Sequence, residues 1–152
     1  MKSHCLTHVT TIAKPIEDVF DFFSKAENLN ELTPPELDFE IITPLPVNMQ
    51  KGSLLDYRIK LNGIRFNWKT EISAWEPPYR FVDKQLKGPY VLWIHEHRFK
   101  ALNNHLTEMT DTVHYLSPGW LLEPLVHHLF VKKKVEATFK FRKEMLKKIF
   151  DH

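Results

Sequence analysis

The sequence has little with which to staple or charge a fold. Of its 152 residues one, Cys5, is a cysteine. A lone thiol forms no internal disulfide and has no partner at metal-ligand spacing, so the chain reads as adapted to a reducing compartment and Cys5 as an ordinary strand residue. Only four residues are glycine, and none builds a phosphate-cradling loop, which argues against nucleotide binding. There is no Gly-x-Ser-x-Gly elbow, and Cys5 is remote in sequence from other reactive groups, so nucleophilic catalysis lacks support. No apolar run approaches the roughly 20 residues of a membrane span. The start, Met1-Lys2-Ser3-His4-Cys5, leads into an alternating segment without a signal-peptide pattern, and a cytoplasmic location is the expectation. The net charge of +2 comes without a clustered basic stripe, so no nucleic-acid partner is expected. The one basic run, Lys132-Lys133-Lys134, reads as a solvated helix face.

What is present is apolar and aromatic. Hydrophobic residues make up 43% and charged residues 26%, the balance of a globular protein, and the length suits one domain spanning 1–152. Aromatics reach 12%, with four Trp. Side chains of that size must line a core or a pocket.

In chain order, residues 3–12 alternate as a first strand, and Pro15 suits a first helical position. Ile16, Val19, Phe20 and Phe23 then recur at helical spacing. A second short helix carries Leu29 and Leu32 and stops at Thr33, because Pro34 and Pro35 follow. Leu37, Phe39 and Ile41 alternate as a strand ending at Thr43-Pro44. From Ser53 to Ser117, turn signals at Asn62-Gly63, Pro77-Pro78, Gly88-Pro89 and Asn103-Asn104 divide five strands of an antiparallel meander. After Gly119 the period changes to about 3.6. Leu125, Leu129, Val131, Val135, Phe139, Leu146 and Ile149 define one long amphipathic helix, whose wide apolar face should lie across the sheet.

Asn62-Gly63 is a two-residue hairpin loop and pairs Leu61 with Ile64, Ile59 with Phe66 and Tyr57 with Trp68. Opposed residues share a face, so Leu55, Tyr57, Ile59, Ile64, Phe66, Trp68 and Ile72 lie inward, and Asp56, Arg58, Lys60, Arg65, Lys69 and Glu71 meet water. A four-residue loop at 76–79 passes the face on: Trp75 pairs with Arg80, Ile72 with Asp83 and Thr70 with Gln85, with Phe81 inside. A three-residue turn at Lys87-Gly88-Pro89 sets Asp83 opposite Trp93 and Phe81 opposite His95. A two-residue turn would instead bring Leu92, Ile94 and Glu96 inside. The first choice buries Trp93 and Phe99 and leaves Glu96 and Arg98 in water. A three-residue loop at 102–104 then pairs His95 with Asp111, His97 with Met109 and Trp93 with Val113. The inner face thus acquires a polar patch of Asp83, Gln85, His95, His97 and Asp111. Around it stand Tyr57, Trp68, Trp93, Phe99, Met109 and Tyr115. Buried ionisable groups are costly unless paired, so their convergence is informative.

The motifs Lys14-Pro15-Ile16-Glu17-Asp18-Val19-Phe20, Asn28-Leu29, Leu32-Thr33-Pro34, Gly88-Pro89-Tyr90, Trp93-Ile94-His95-Glu96-His97-Arg98-Phe99 and Met109-Thr110-Asp111, in the order β-α-α-β6-α, resemble a ligand-binding branch of the SRPBCC superfamily. This is the START-related, birch-pollen-allergen-like helix-grip fold, near the polyketide cyclase/dehydrase-like proteins. The resemblance covers nearly the whole chain. It implies an α+β fold in which a curved antiparallel sheet grips the long carboxy-terminal helix, with a cavity for an apolar or amphipathic molecule. Such folds serve lipid carriers, hormone-binding proteins, aromatase/cyclases and quinone-binding proteins, so the fold does not choose among them.

The expected ligand site is Tyr57, Trp68, Asp83, Gln85, Trp93, His95, His97, Phe99, Met109, Asp111 and Tyr115. Its partner is a lipid, isoprenoid, aromatic or polyketide-like molecule, and no cofactor or metal is expected. The competing reading of the same residues is a cofactor-independent cyclase or dehydratase. In it His95 with Asp111 or Asp83 forms an acid–base pair, because a carboxylate fixes an imidazole tautomer. A purely structural or interaction role is the third alternative, with these groups satisfied as a sealed, hydrogen-bonded network. A metal held by His95, His97 and an inward carboxylate is a minor one. His127 and His128 start the long helix, one facing the cavity and one water, and Trp120, Leu121, Leu122 and Pro34-Pro35 suggest a cavity rim.

Overall fold

The computed structural model describes residues 3–150. Its centre is a curved seven-stranded sheet with every neighbouring pair antiparallel, in the order β1-β7-β6-β5-β4-β3-β2. The strands are β1 (His4–Ile12), β2 (Glu40–Ile41), β3 (Leu54–Leu61), β4 (Ile64–Glu76), β5 (Arg80–Lys87), β6 (Leu92–Asn103) and β7 (Leu106–Leu116). Helix α1 (Ile16–Phe23) follows β1, a short helix α2 spans Glu123–Val126, and α3 (Lys132–Phe150) closes the chain. This is the α+β helix-grip architecture. No helix among the described residues is long and apolar enough to cross a membrane.

Helix α1 forms where the spacing predicts it. Pro15 precedes it, Glu17 and Asp18 sit in the first turn where the helix dipole favours negative charge, and Ile16, Val19, Phe20 and Phe23 are buried. The second expected helix shrinks to a 3₁₀ turn, Ala26–Leu29. Thr33 Oγ1 donates back to the Leu29 carbonyl at 2.7 Å, ending the segment just before Pro34. The expected strand from Leu37 is also shorter. Leu37 belongs to a 3₁₀ turn, Pro35–Leu37, closed by Asp38 at φ 45°, and only Glu40 and Ile41 pair with β3.

The β3–β4 hairpin has the expected register. Asn62 and Gly63 take φ 51° and 81°, the left-handed pair that matches strand twist, and Leu61↔Ile64, Ile59↔Phe66 and Tyr57↔Trp68 are opposed. In the next pair Ile72↔Asp83 and Thr70↔Gln85 are as expected, but Trp75 opposes Phe81 rather than Arg80 because the register shifts between Ile72 and Ala74. The bulge lets both Trp75 and Phe81 pack on Phe20.

Two registers differ from expectation by two residues. Across β5–β6, Asp83 opposes His95 and Phe81 opposes His97. The connection is longer than three residues because the Gln85 amide closes it. Its Nε2 donates to the Tyr90 carbonyl at 2.7 Å and its Oε1 accepts from Tyr90 N–H at 3.2 Å. Across β6–β7, Trp93↔Tyr115, His95↔Val113, His97↔Asp111 and Phe99↔Met109 are opposed. The strands continue to Asn103↔Leu106, with an irregularity after Ala101. Asn103 Oδ1 accepts from His105 N–H at 2.8 Å, tightening that turn. An even slip preserves the sheet face. His95, His97, Met109, Asp111, Val113 and Tyr115 are therefore buried as expected.

The carboxy-terminal helix is interrupted. A 3₁₀ turn (Trp120–Leu122), α2 and a π-helical turn (His127–Val131) precede α3. One extra residue in a helical turn rotates the following stripe by about 100°. Val135, Phe139, Arg142 and Leu146 accordingly face the sheet, whereas Leu125 and Leu129, expected on the same stripe, are exposed.

Candidate functional site

Three adjacent strands and α3 converge on one polar network. Asp83 (β5), His95 and His97 (β6) and Asp111 (β7) point to the inner face, where α3 delivers Arg142. The direct cross-strand partners are Asp83 with His95 and His97 with Asp111, yet the short hydrogen bonds run diagonally. His97 Nε2 lies 2.7 Å from Asp83 Oδ2, and His95 Nε2 lies 2.7 Å from Asp111 Oδ1. His95 stacks on His97 with centroids 3.7 Å apart, and Phe81 stacks on the other face of His97 at 4.0 Å. Arg142 Nη2 lies 3.2 Å from His97 Nδ1 and 3.5 Å from Asp111 Oδ1. A guanidinium offers only donors, so His97 Nδ1 accepts and Nε2 carries the proton that Asp83 receives.

The charges follow from these partners. Burial opposes ionisation of Asp111, but the charge of Arg142 and the hydrogen bond from His95 outweigh it and hold the carboxyl well below its ordinary value. For Asp83, burial is likewise outweighed, here by His95, His97 and Arg142, and its pKa is also lowered. The reverse holds for His95. Burial and the neighbouring His97 outweigh both carboxylates and lower its pKa to about 4. At neutral pH His95 is an uncharged imidazole that donates Nε2–H to Asp111. Its Nδ1 lone pair then lies 3.8 Å from Asp83 Oδ2. Two acceptors side by side suit a hydrogen-bond donor between them.

A cavity of about 140 Å3 lies over this network. Asp83, His95, His97 and Arg142 line its polar side, and Tyr57, Trp68, Trp93 and Phe139 are among its aromatic walls. A second cavity of about 100 Å3 shares Ile59, Trp68, Trp93 and Thr138 with the first. Trp68 Nε1 and Arg142 Nε are buried donors without a hydrogen-bond partner among the described residues. The Tyr57 phenol, bonded to Thr70 Oγ1 at 3.1 Å, is pushed up by burial and then by the Asp83 charge, so it keeps its proton.

Of the residues expected from the sequence, Tyr57, Trp68, Asp83, Trp93, His95 and His97 line the first cavity. Asp111 stands behind His95 and His97. Gln85 serves the β5–β6 turn, and Phe99 and Met109 pack in the core with Phe20 and Leu146. Tyr115 packs with Val135 and Phe139, and its hydroxyl meets His127 Nε2 at 2.7 Å. His127 is occupied by that bond, and neither it nor His128 lines either of these two cavities. Sequence reasoning missed Arg142. Its signal was a cation at the apolar spacing Val135, Phe139, Arg142, Leu146.

Donor atoms of Asp83, His95 and His97 lie within 4.8 Å of one another, a set of ligands that can hold a divalent cation with Asp111 orienting His95. Arg142 already brings a positive charge to the same cluster.

A family model described as polyketide cyclase / dehydrase and lipid transport matches residues 12–150. No curated protein sequence matches the chain. Among solved structures, a protein of Chromobacterium violaceum superposes with a TM-score of 0.73 at 10% identity, covering 98% of this chain and 99% of the other. An aromatase/cyclase from a Streptomyces species gives 0.68 at 14% identity over 97% and 96%. A START superfamily protein from Mycobacterium smegmatis gives 0.67 at 12% over 96% and 99%. At these identities the structures establish a shared fold. With the family model spanning nearly its whole length, the chain belongs to the polyketide cyclase/dehydrase and lipid transport family.

Proposed function

We propose that the protein binds and carries a small amphipathic molecule whose body is aromatic or otherwise apolar and whose polar groups meet the His–Asp–Arg network. The observation that carries this reading is the pair of buried donors without partners, Trp68 Nε1 and Arg142 Nε, both on residues that line the cavity. An unpaired buried donor costs about 1–3 kcal/mol, a cost that a ligand carbonyl, ether or hydroxyl oxygen would relieve. On the polar side of the same cavity, His95 Nδ1 and Asp83 Oδ2 form an acceptor pair 3.8 Å apart, suited to a ligand hydroxyl or amine. Size supports the same class. A dry apolar cavity of about 150 Å3 holds a benzene ring, and the adjoining space extends past Trp68 and Trp93. Native mass spectrometry of the purified protein tests the reading by revealing a bound apolar molecule. Repeated absence of one, with no thermal shift across lipid and aromatic libraries, overturns it.

A second reading rests on His95 itself. An uncharged imidazole with its Nε2–H held by Asp111 presents Nδ1 as a general base, the arrangement needed to remove a proton beside a carbonyl in a cyclisation or dehydration. Replacing His95 by Gln separates the two readings: turnover of a candidate carbonyl substrate disappears if His95 is the base, while cavity affinity changes only a few-fold.

A further inference from the structure

Six large apolar side chains crowd an exposed segment that the cavity does not use. Trp120, Leu121, Leu122, Leu125, Leu129 and Phe130 are each between 54% and 77% exposed. The turn that presents them is built in: Gly119 takes φ 122°, and a Cβ there would meet Val126 Cγ2 at 3.1 Å and Glu123 N at 3.3 Å. The charge of the segment is one-sided. Its single acid, Glu123, is buried and committed, accepting from His4 Nε2 at 2.7 Å and from Ser117 N–H at 3.3 Å. The next acid, Glu136, lies beyond an exposed pair of lysines, Lys132 and Lys133. Outward-facing groups from Trp120 to Lys133 are thus apolar, imidazole or cationic.

We propose that this end of the molecule docks on an anionic phospholipid bilayer. Trp, Leu and Phe beside Lys form the composition that settles at a lipid interface, the rings and aliphatic groups entering the headgroup boundary while lysines meet anionic headgroups. Monomeric proteins rarely leave a large apolar patch uncovered, and here six large apolar side chains within eleven residues of chain are exposed. A second copy is a poorer occupant. A two-fold interface apposes the same patch on both subunits, and so would bring Lys132 and Lys133 toward their own copies without an exposed acid in the segment to pair them. The same helix continues into the cavity wall at Thr138, Phe139 and Arg142, but the docking inference stands apart from the cavity reading.

The experiment is sedimentation of the full chain, without added ligand, with vesicles of phosphatidylcholine alone and of phosphatidylcholine with phosphatidylglycerol. The anionic vesicles are expected to bind more protein. Lys132→Gln with Lys133→Gln should weaken that binding about thirtyfold, the effect of two lysines near an anionic surface, while leaving the zwitterionic vesicles unaffected. Leu121→Ser, Leu122→Ser and Phe130→Ser together should abolish binding to both at an unchanged melting temperature, since all three side chains are exposed. A vesicle-induced blue shift of tryptophan emission should vanish in Trp120→Phe. Failure to bind anionic vesicles, or full binding by the serine variant, overturns the proposal. So does a dimer in sedimentation equilibrium that the serine substitutions dissolve, which would make the patch a subunit interface.

Discussion

Arg142 on α3 directs Nη2 at His97 Nδ1 on β6 across 3.2 Å, and this contact ties the gripping helix to the polar floor of the sheet. The guanidinium also lies 5.3 Å from the Phe23 ring centroid, so one side chain links α3, α1 and β6. Among the described residues it is the lysine or arginine that faces two carboxylates, Asp83 and Asp111.

Removing that cation leaves buried negative charge uncompensated. Arg142→Met is expected to cost about 3–5 kcal/mol, the usual penalty for breaking a buried ion pair from one side. Adding Asp111→Asn to the same chain should recover part of the loss, because the carboxylate that Arg142 neutralises is then gone. Urea unfolding of the two single variants and the double variant measures this coupling.

Acid should destabilise the fold in a defined window. The unfolded chain protonates histidine near pH 6.5, whereas His95 in the folded protein does so only at about 4. Between these values the unfolded state binds the additional proton, so stability falls as pH falls. That contribution amounts to about 3 kcal/mol across the window. The lowered carboxyls of Asp83 and Asp111 act in the same direction at lower pH, their contribution present above the unfolded carboxylate value and lost on acidification through the folded one. Urea midpoints at about pH 7 and about pH 4.5 should show the loss. His95→Gln should show a smaller drop over the same interval.

The orphan donor on Trp68 predicts separate effects on stability and binding. Trp68→Phe removes an unpaired buried N–H and should leave stability nearly unchanged, the lost area offset by the relieved desolvation. A ligand that accepts from this nitrogen should bind about tenfold more weakly, as expected for one hydrogen bond. Titration calorimetry with the molecule identified by native mass spectrometry gives the second quantity, and thermal melting the first.

Filling the cavity should separate packing from binding. Ala26 is buried and lines the first cavity. Ala26→Leu places apolar atoms in empty space, so it should hold or raise the melting temperature while abolishing the thermal shift produced by a cavity ligand. Overpacking a filled core instead costs about 1–3 kcal/mol, so a lowered melting temperature would show that the space is already occupied by protein.

Glu123 anchors the segment between β7 and α3. Glu123→Ala removes the acceptor for His4 Nε2 and Ser117 N–H and should cost about 1–3 kcal/mol. Hydrogen exchange should quicken first in residues 120–131. His4 also stacks on His127 with centroids 3.4 Å apart, so amides near the start of β1 should lose protection with them.

Much of this site could be read from residue types alone, though not its wiring. Strand alternation placed Asp83, His95, His97 and Asp111 on one inner face, and each lies there. The bond between His95 and Asp111 was expected from direct opposition. It forms instead across a diagonal, because β6 and β7 pair two residues further along. Gln85 was expected in the site for its face, but the Tyr90 backbone captures its amide. Phe99, Met109 and Tyr115 lie on the expected face, yet α1 and α3 cover them. Arg142 went unread because a cation within a helical stripe looks like solvated surface until the opposing sheet is known.

By itself the sequence determined what local chemistry can determine. Asn62-Gly63 set one hairpin register through its positive φ angles, period two sorted inside from outside along each strand, and period 3.6 marked the helix that the sheet grips. Alternation specifies a register only modulo two, so loop closure by Gln85 and Asn103 decided which histidine meets which carboxylate. The phase of α3 depended on a π turn that apolar spacing does not announce. The arrival of Arg142, the space over Asp83 and His95, and the exposure of Trp120 to Phe130 were decided by tertiary packing, because each depends on contacts between segments distant in the chain.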